Sequence, residues 1–416
     1  MWLSLLPVTD PGGPGYRASP EALALLRICA APDGDHSAGL ALLDEGQWTR
    51  LVDLALSKRA GQLVRRAVRK LEFVPPAARA ALDNEASWYL HYGLQQKAAI
   101  RSLFDTLDAS GFSPIWLKGL SLAMTDYPET MLRPIRDVDA LLPREDVLRA
   151  QTLLLDSPHY RRAPWAGNYG VEHGHQLPEI QDTRFGLTIE LHHRVNARGW
   201  EQEGDFVAFL KQGAQVRDIL GRPFRVPSTV GNFLHLTEHA TLHHMFENGP
   251  LTLADLHFIT ARHALDWDEL VREAARFGLR NALGLVAATA HSLGATWVPQ
   301  RLLDDSGCSD DQIGVACAAM LLSSTEVAQS KLLRRFDAEE PEKSWTLGAA
   351  LARALRPNPY ELARIVGCEA TSPLRFAGYP AWLWNRGRIY RAATAGRAVQ
   401  DHATEEAKLL QWMRKG

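Results

Sequence analysis

Two aspartates separated by one residue carry the sharpest chemical signal in the sequence. Asp137 and Asp139 lie in the short apolar segment IRDVDALL. Side chains of a strand alternate between its two faces, so both carboxylates project to one side, and Val138 and Ala140 project to the other. Two carboxylates on one face repel each other unless a divalent cation lies between them, and Mg²⁺ favours such ligands. Many turns and surface strands also contain such a pair, so it indicates a magnesium site only together with its neighbours.

Two further segments add to the acidic pair. Upstream, the apolar segment IWL runs into Lys118 and Gly119, where the backbone can approach a phosphate closely and a lysine adds positive charge. Downstream, Glu190 alternates with core residues and shares a face with His192. A third carboxylate from an adjacent strand is what a two-metal phosphoryl-transfer site requires. The three segments together predict such a site.

A histidine series lies further along the chain. His235, His239 and His243 recur every four residues, a spacing that can bind zinc on one face of a helix. However, Glu238 stands in T-E-H and not in H-E-x-x-H, so the metalloprotease pattern fails. We favour a polar helix face, lining a cleft or exposed to solvent, over a zinc site. Asp255 is expected to cap a helix or to support the cleft.

The elements that must position these residues follow from the local patterns. Helical signals fill the chain up to about residue 110 and again from about residue 201 to the end, with helix caps at Ser19, Asp44, Ser228 and Asp266. Strand signals are confined to about 115–200, where a turn at DTRFG separates two strands of a hairpin. A small sheet flanked by helices is therefore expected.

Composition narrows the class of protein. The 416 residues are 46% hydrophobic and 23% charged, which is typical of a folded chain. The formal net charge of -2 argues against bulk nucleic-acid binding and leaves room only for a local basic groove. Four dispersed cysteines without a C-x-x-C pair exclude a zinc ribbon and a disulfide framework. With no signal peptide and no apolar run of about 20 residues, we expect no membrane span and a cytoplasmic location.

The ordered set of motifs resembles the uncharacterised bacterial nucleotidyltransferase family of the polymerase-beta-like superfamily. The motifs that carry the resemblance are LKG at 117–119, YP at 127–128, RPxxDxD at 133–139 and IELH at 189–192. The resemblance covers about 115–195 and extends more weakly into the helical segments on both sides. It implies an α+β fold, with a small mixed β-sheet core between mainly helical regions. We accordingly divide the chain into 1–76, 77–200 and 201–416, with the nucleotidyltransferase core in the middle.

The resemblance also implies an activity and roles for single residues. An NTP, by default ATP, would bind as its magnesium complex and donate its NMP group to a hydroxyl of an unidentified small-molecule, peptide or protein acceptor. Two Mg²⁺ ions would be held by three acids, and the nucleotide would contact four further residues. The acids are Asp137, Asp139 and Glu190, and the nucleotide-binding residues are Lys118, Gly119, Arg133 and His192.

Two arginines near the acidic pair could each have one of two roles. Arg133 and Arg136 could each offset charge on the leaving pyrophosphate or form a salt bridge with a nearby acid. Alternation puts Arg136 opposite Asp137, which favours Arg133 as the phosphate contact. Of the two histidines before the hairpin, His175 is expected in the cleft rather than His173.

Two alternative functions remain open at this point. Much of the superfamily has Gly-Ser or Gly-Gly at the phosphate turn, whereas this chain has Lys118-Gly119-Leu120. The missing hydroxyl leaves a kinase possible, in which the same site transfers the gamma-phosphate. The other alternative is a non-catalytic nucleotide-binding module, against which the presence of all three acids argues.

Overall fold

The structure is a computed structural model and combines many helices with a small mixed sheet, which confirms the predicted α+β class. Residues 1–17 of the N-terminal region and 338–356 of the C-terminal region lie outside the described part of the chain. The described residues are 18–167, 169–196, 200–219, 221–337, 357–394 and 397–415.

Two helices of the N-terminal part begin where the sequence predicts, after Ser19 and after Asp44. The Asp44 side chain accepts a hydrogen bond from the Gln47 backbone N–H, and the Gln47 side chain accepts one from the Asp44 N–H, which is a complete capping box. The helices are α1 (Pro20–Ala30), α2 (Ser37–Leu40), α3 (Glu45–Ser57), α4 (Gly61–Val68) and the long α5 (Pro76–Ala109).

Five short strands form one sheet in the order β1-β2-β5-β4-β3. β2 and β5 are parallel neighbours, and the other pairs are antiparallel. β4 and β5 form the hairpin that the sequence predicts. The strands are β1 (Ile115–Leu117), β2 (Asp137–Leu141), β3 (Tyr160–Arg162), β4 (Ile180–Asp182) and β5 (Thr188–His192), and two helices accompany them, α6 (Lys118–Thr125) and α7 (Arg144–Leu155).

The C-terminal part departs from the helical expectation at one place. An antiparallel hairpin of β6 (Gln215–Ile219) and β7 (Arg222–Val226) interrupts the helices. Phe224 on β7 is buried, and its ring stacks on Trp116 of β1 at a centroid distance of 5.9 Å. This contact with the sheet, which lies far away in sequence, explains why local patterns miss the hairpin.

Helices make up the rest of the described C-terminal part. They are α8 (Glu203–Gln212), α9 (Thr229–Glu238), α10 (Leu251–Arg262), α11 (Trp267–Arg276), α12 (Arg280–Ser292), α13 (Gln300–Asp304), α14 (Asp310–Leu321), α15 (Ser324–Asp337), α16 (Pro359–Val366), α17 (Tyr379–Thr394) and α18 (Arg397–Met413). Within the described residues, no helix combines the length and apolar character that crossing a bilayer requires.

Buried apolar residues form two large clusters, one around the sheet and one among the helices. The long helix α5 contributes to both, with Leu82 in the helical cluster and Leu103 in the sheet cluster. Phe224 and Val226 of the later hairpin also belong to the sheet cluster. The division at residues 76 and 200 stays a prediction.

Candidate active site

Asp139 and Glu190 lie opposite each other on two adjacent parallel strands. The register of β2 and β5 pairs the Cα atoms of these two residues. Val138 and Ile189, which precede them on the same strands, are fully buried in the sheet cluster. Because side chains alternate along a strand, the two carboxylates project from the opposite face of the sheet. The pairing brings acids separated by about 50 residues of sequence to one place.

Lys118, which directly follows the neighbouring strand β1, contacts the carboxylate of Asp139. β1 runs antiparallel to β2 and pairs Leu117 with Asp139, so Lys118 emerges directly beside the acid. Its Nζ donates a hydrogen bond of 2.6 Å to Asp139 Oδ1. Lys118 has a φ of 50°, in the left-handed region that favours glycine. This conformation turns the chain from β1 into α6 and costs free energy that the surrounding packing must offset.

His192 joins the two acids. Its Nε2 lies 2.9 Å from Asp139 Oδ1 and 3.3 Å from Glu190 Oε2. Burial and the charge of Lys118 lower the pKa of His192, but the hydrogen bonds to the two acids outweigh them, so this pKa is raised. His192 therefore holds its proton more strongly than an exposed histidine does.

The pKa values of the two aspartates of the D-x-D motif are shifted in opposite directions. Burial works to raise the pKa of Asp139, yet the charges and hydrogen bonds of Lys118 and His192 hold it far below its usual range. Burial and the charge of Asp139 raise the pKa of Asp137. Asp139 is only 1% exposed, and its Oδ2 has no hydrogen-bond partner among the described residues. An ionised carboxylate with a free buried oxygen is a ligand open to a cation.

Arg136 contacts Asp137 directly, which corrects the expectation from alternation. Its Nε and Nη2 lie 2.8 and 2.6 Å from Asp137 Oδ2. Arg136 precedes the first residue of β2, so strand alternation does not govern its direction, and its side chain is largely exposed. Of the two readings, the salt bridge describes this contact.

Arg133 is held by an acid from a distant helix. Its Nε and Nη2 lie 2.7 and 3.1 Å from the two carboxylate oxygens of Asp255 on α10, which also accepts a 2.6 Å hydrogen bond from the Tyr127 hydroxyl. A Cβ placed on Gly119 would lie 3.6 Å from Arg133 Nη1. Asp255 lies inside α10, so it is not a cap but supports the cleft by fixing Arg133 beside the Gly119 turn.

These side chains line one cleft of about 580 Å³, a size that suits a small-molecule ligand. His175 lines the cleft, whereas His173 packs against Tyr360 with a ring distance of 4.0 Å. Every predicted site residue except the buried pair Asp139 and His192 is part of this lining. The lining residues among the predicted ones are Lys118, Gly119, Arg133, Asp137 and Glu190.

Non-glycine residues with a strained, left-handed backbone conformation lie in or next to the cleft. Among the described residues, four non-glycine residues have a positive φ, namely Arg59, Lys118, Met245 and Phe246. The first two line the cleft, and the last two directly follow a histidine segment that lines it. Residues held in such conformations cluster at functional sites, because the strain persists only where the surrounding structure fixes it.

Several residues of the cleft have no recognisable signal in the sequence. Lys58 and Arg59 enter from the end of α3, and burial lowers the pKa of Lys58 to about 8 and that of Arg59 to about 10. Nothing in the sequence around them resembles a site motif. His244 also lines the cleft, although it stands outside the four-residue spacing.

Two groups of described residues bring three potential metal ligands within 4.8 Å of one another. One group consists of Asp139, Glu190 and His192. Asp137 is on the same strand and lines the cleft, but its carboxylate is bound by Arg136. Carboxylate oxygens are the ligands that Mg²⁺ prefers, and Asp139 Oδ2 lacks another partner among the described residues, so this group fits a divalent cation. The second group is a histidine cluster that consists of His239, His243 and His244.

A small mixed sheet that carries paired carboxylates on adjacent strands, beside a Lys-Gly turn, is the architecture expected of a nucleotidyltransferase core. A family model described as an uncharacterised nucleotidyltransferase matches residues 44–295, more than half of the chain. The chain belongs to this family and is a transferase whose family implies an NTP substrate. No curated protein and no solved structure matches it.

Proposed function

We propose that the chain transfers the NMP group of an NTP to an acceptor hydroxyl in this cleft, with Asp137, Asp139 and Glu190 holding two Mg²⁺ ions. The proposal rests above all on one observation, the pairing of Asp139 with Glu190 across β2 and β5, where Glu190 lines a cleft that also contains several cations and Asp139 is buried beside it. Mg²⁺ would neutralise phosphate charge and make the acceptor hydroxyl more acidic.

The cations of the cleft suit a triphosphate. Lys118 follows β1 at the first turn of α6, where backbone N–H groups also favour an anion. Arg133 is fixed beside Gly119 by Asp255, and Arg59 lies on the same cleft. Arginine binds phosphate oxygens through two N–H groups at once, so these side chains would orient the beta and gamma phosphates and stabilise the departing pyrophosphate.

The transfer forms one bond and breaks one, and a residue of the cleft can take up the released proton. The acceptor oxygen forms a bond to the alpha-phosphorus, the bond from that phosphorus to the bridging oxygen of the beta-phosphate breaks, and pyrophosphate leaves. Glu190 can accept the acceptor's proton, because its carboxylate is partly exposed to the cleft. His192 orients Glu190 and Asp139 by bonding to both.

The products of the NTP distinguish nucleotidyl transfer from the kinase alternative without knowledge of the acceptor. The full chain is incubated with Mg²⁺ and either alpha- or gamma-labelled ATP, with water or a mixture of metabolites and peptides as acceptor. We expect labelled pyrophosphate from the gamma label, and AMP or an AMP adduct from the alpha label. ADP as the main product would contradict the proposal and favour a kinase.

Variants of the acids link this activity to the site. Asp139→Asn and Glu190→Gln should abolish pyrophosphate release. Asp182→Asn is a matched control, since Asp182 is an equally buried acid on the neighbouring strand β4 that is paired with Arg184. Equal rates in Asp139→Asn and the wild type would reject the proposed site. Binding of ATP without turnover in the wild type would favour the non-catalytic module.

A further inference from the structure

We propose that His239, His243 and His244 form a second metal site, which binds a transition-metal ion of the Zn²⁺ class through three imidazole nitrogens. Each residue offers a ring nitrogen within 4.8 Å of the other two. The three side chains line the same cleft as the carboxylates, yet they share no ligand with them. The proposal goes beyond nucleotidyl transfer and does not depend on it.

The backbone explains why these three histidines converge. α9 ends at Glu238, and the chain continues as a π-helical turn over His239–His243. The His244 N–H donates to the His239 carbonyl at 3.2 Å, a bond across five residues instead of the four of an α-helix. The wider turn brings His244 onto the face of His239, from which a regular α-helix would turn it away. Such turns within helices are frequent at functional sites.

The ring positions fit a shared ion. The centroids of His239 and His244 are 4.4 Å apart, and those of His239 and His243 are 5.2 Å apart. The rings of His243 and His244 stack at 4.5 Å with an interplanar angle of 17°. Zinc binds imidazole nitrogens at about 2.0–2.1 Å in the plane of each ring, so one of the two stacked rings, His243 or His244, has to rotate for all three to bind one ion.

Unpaired nitrogens are an independent sign of a ligand. The Nδ1 atoms of His239 and His243 are buried and have no hydrogen-bond partner among the described residues. A buried polar atom without a partner costs free energy, which a bound ion would remove.

The ligand set selects the kind of metal. Imidazole suits zinc, copper, cobalt and nickel, whereas carboxylates and water suit magnesium. Three protein ligands leave one position for water or a substrate atom, as in catalytic zinc sites. The ring centroid of His175 lies 4.8 Å from that of His243 and 5.3 Å from that of His192, so the histidine cluster lies next to the carboxylate group.

Zinc titration of the full chain tests the site. Metal-stripped protein is titrated with Zn²⁺ by calorimetry in excess Mg²⁺, which occupies carboxylate sites. We expect one Zn²⁺ per chain to bind in Asp139→Asn, which lacks a ligand of the carboxylate group. His239→Gln and His244→Gln should each weaken Zn²⁺ binding more than about 100-fold. A residue that only hydrogen-bonds to a metal ligand typically costs about 10–100-fold in metal affinity when it is changed. His291→Gln changes an exposed histidine and should leave Zn²⁺ binding unchanged.

Two results would overturn the proposal. One is the absence of Zn²⁺ binding in Asp139→Asn, which would assign any zinc of the wild type to the carboxylate group. The other is unchanged affinity in both histidine variants. If neither histidine variant folds, as judged by circular dichroism, the absorption of Co²⁺ bound to the wild type decides. Intense visible bands of a four-coordinate imidazole site support the proposal, and the weak bands of octahedral oxygen coordination reject it.

Discussion

Lys118 Nζ donates a 2.6 Å hydrogen bond to Asp139 Oδ1, although the two residues are 21 positions apart in the sequence, with Lys118 directly after β1 and Asp139 on the adjacent strand β2. The same oxygen lies 2.9 Å from His192 Nε2. Two groups that carry or favour positive charge therefore converge on one carboxylate oxygen, while the other oxygen of that carboxylate lacks a partner among the described residues. This arrangement keeps Asp139 ionised in a buried position and leaves one oxygen available to a cation.

Removal of the Lys118 charge should impair transfer strongly. In Lys118→Met, the carboxylate of Asp139 loses its nearest cation and the triphosphate loses a contact, so pyrophosphate release should fall about 100-fold or more, as for other lost electrostatic contacts. The measurement is the steady-state rate at saturating ATP. Lys70→Met, which alters an exposed lysine on the N-terminal part, is the control and should match the wild type. A normal rate in Lys118→Met would show that the ion pair has no catalytic role.

The ion pair between Arg133 and Asp255 should contribute more to the free energy of unfolding than the hydrogen bond from Tyr127 to the same carboxylate. Asp255→Asn leaves a buried guanidinium without its acid, which typically lowers the free energy of unfolding by about 3–5 kcal/mol. Tyr127→Phe removes only one hydrogen bond from the same carboxylate and should cost about 1 kcal/mol. Urea denaturation measures both values. Similar losses in the two variants would contradict the view that Asp255 mainly holds Arg133.

The same pair should also govern nucleotide affinity. With Arg133 no longer fixed beside Gly119, Asp255→Asn should raise KM for ATP more than Tyr127→Phe does, because the guanidinium would have to be ordered at each binding event. Initial rates over a range of ATP concentrations separate KM from kcat. An unchanged KM in Asp255→Asn would exclude Arg133 from the triphosphate contacts.

His235 should make the metal-free chain sensitive to acid. It is fully buried, and burial lowers its pKa to about 3, against about 6.5 in an unfolded chain. Between these values the unfolded state binds one more proton than the folded state does, so stability falls as pH falls, by about 1.4 kcal/mol per pH unit from this group. His235→Leu should show a shallower loss of unfolding free energy between pH 6 and 4.

The exposed His291 supplies the reference for that experiment. His291→Leu should retain the wild-type dependence of unfolding free energy on pH, since this ring is exposed to solvent in the folded chain. Urea denaturation in the presence of a chelator gives the three curves. Parallel curves for His235→Leu and the wild type would mean that the buried ring does not resist protonation.

Local patterns predict much of this fold and the nearer parts of the cleft. Alternation along β2 and β5 predicts which face of the sheet carries Asp139 and Glu190, because it depends on successive residues only. The salt bridge between Arg133 and Asp255 spans 122 positions, and no periodic pattern encodes it. Arg136 stands just outside β2, where alternation no longer applies, and its predicted direction was therefore wrong.

The histidine segment marks a second limit of sequence reasoning. A spacing of four predicts one helical face with His235, His239 and His243, as in a regular α-helix. The π-helical turn changes the register, so that His244 joins His239 and His243, while His235 stays in the core. Hydrogen bonds across five residues, such as that from His244 N–H to the His239 carbonyl, decide this, and side-chain periodicity carries no signal for them.

The central claim is that acids from β2 and β5 hold the catalytic metal. Its most direct test is a crystal grown with a non-hydrolysable ATP analogue and Mn²⁺, in which anomalous scattering locates the ions. The account predicts anomalous peaks coordinated by Asp139 and Glu190, with the analogue's alpha-phosphate bound to the same ions. A bound analogue whose Mn²⁺ ions touch none of Asp137, Asp139 and Glu190 would contradict it.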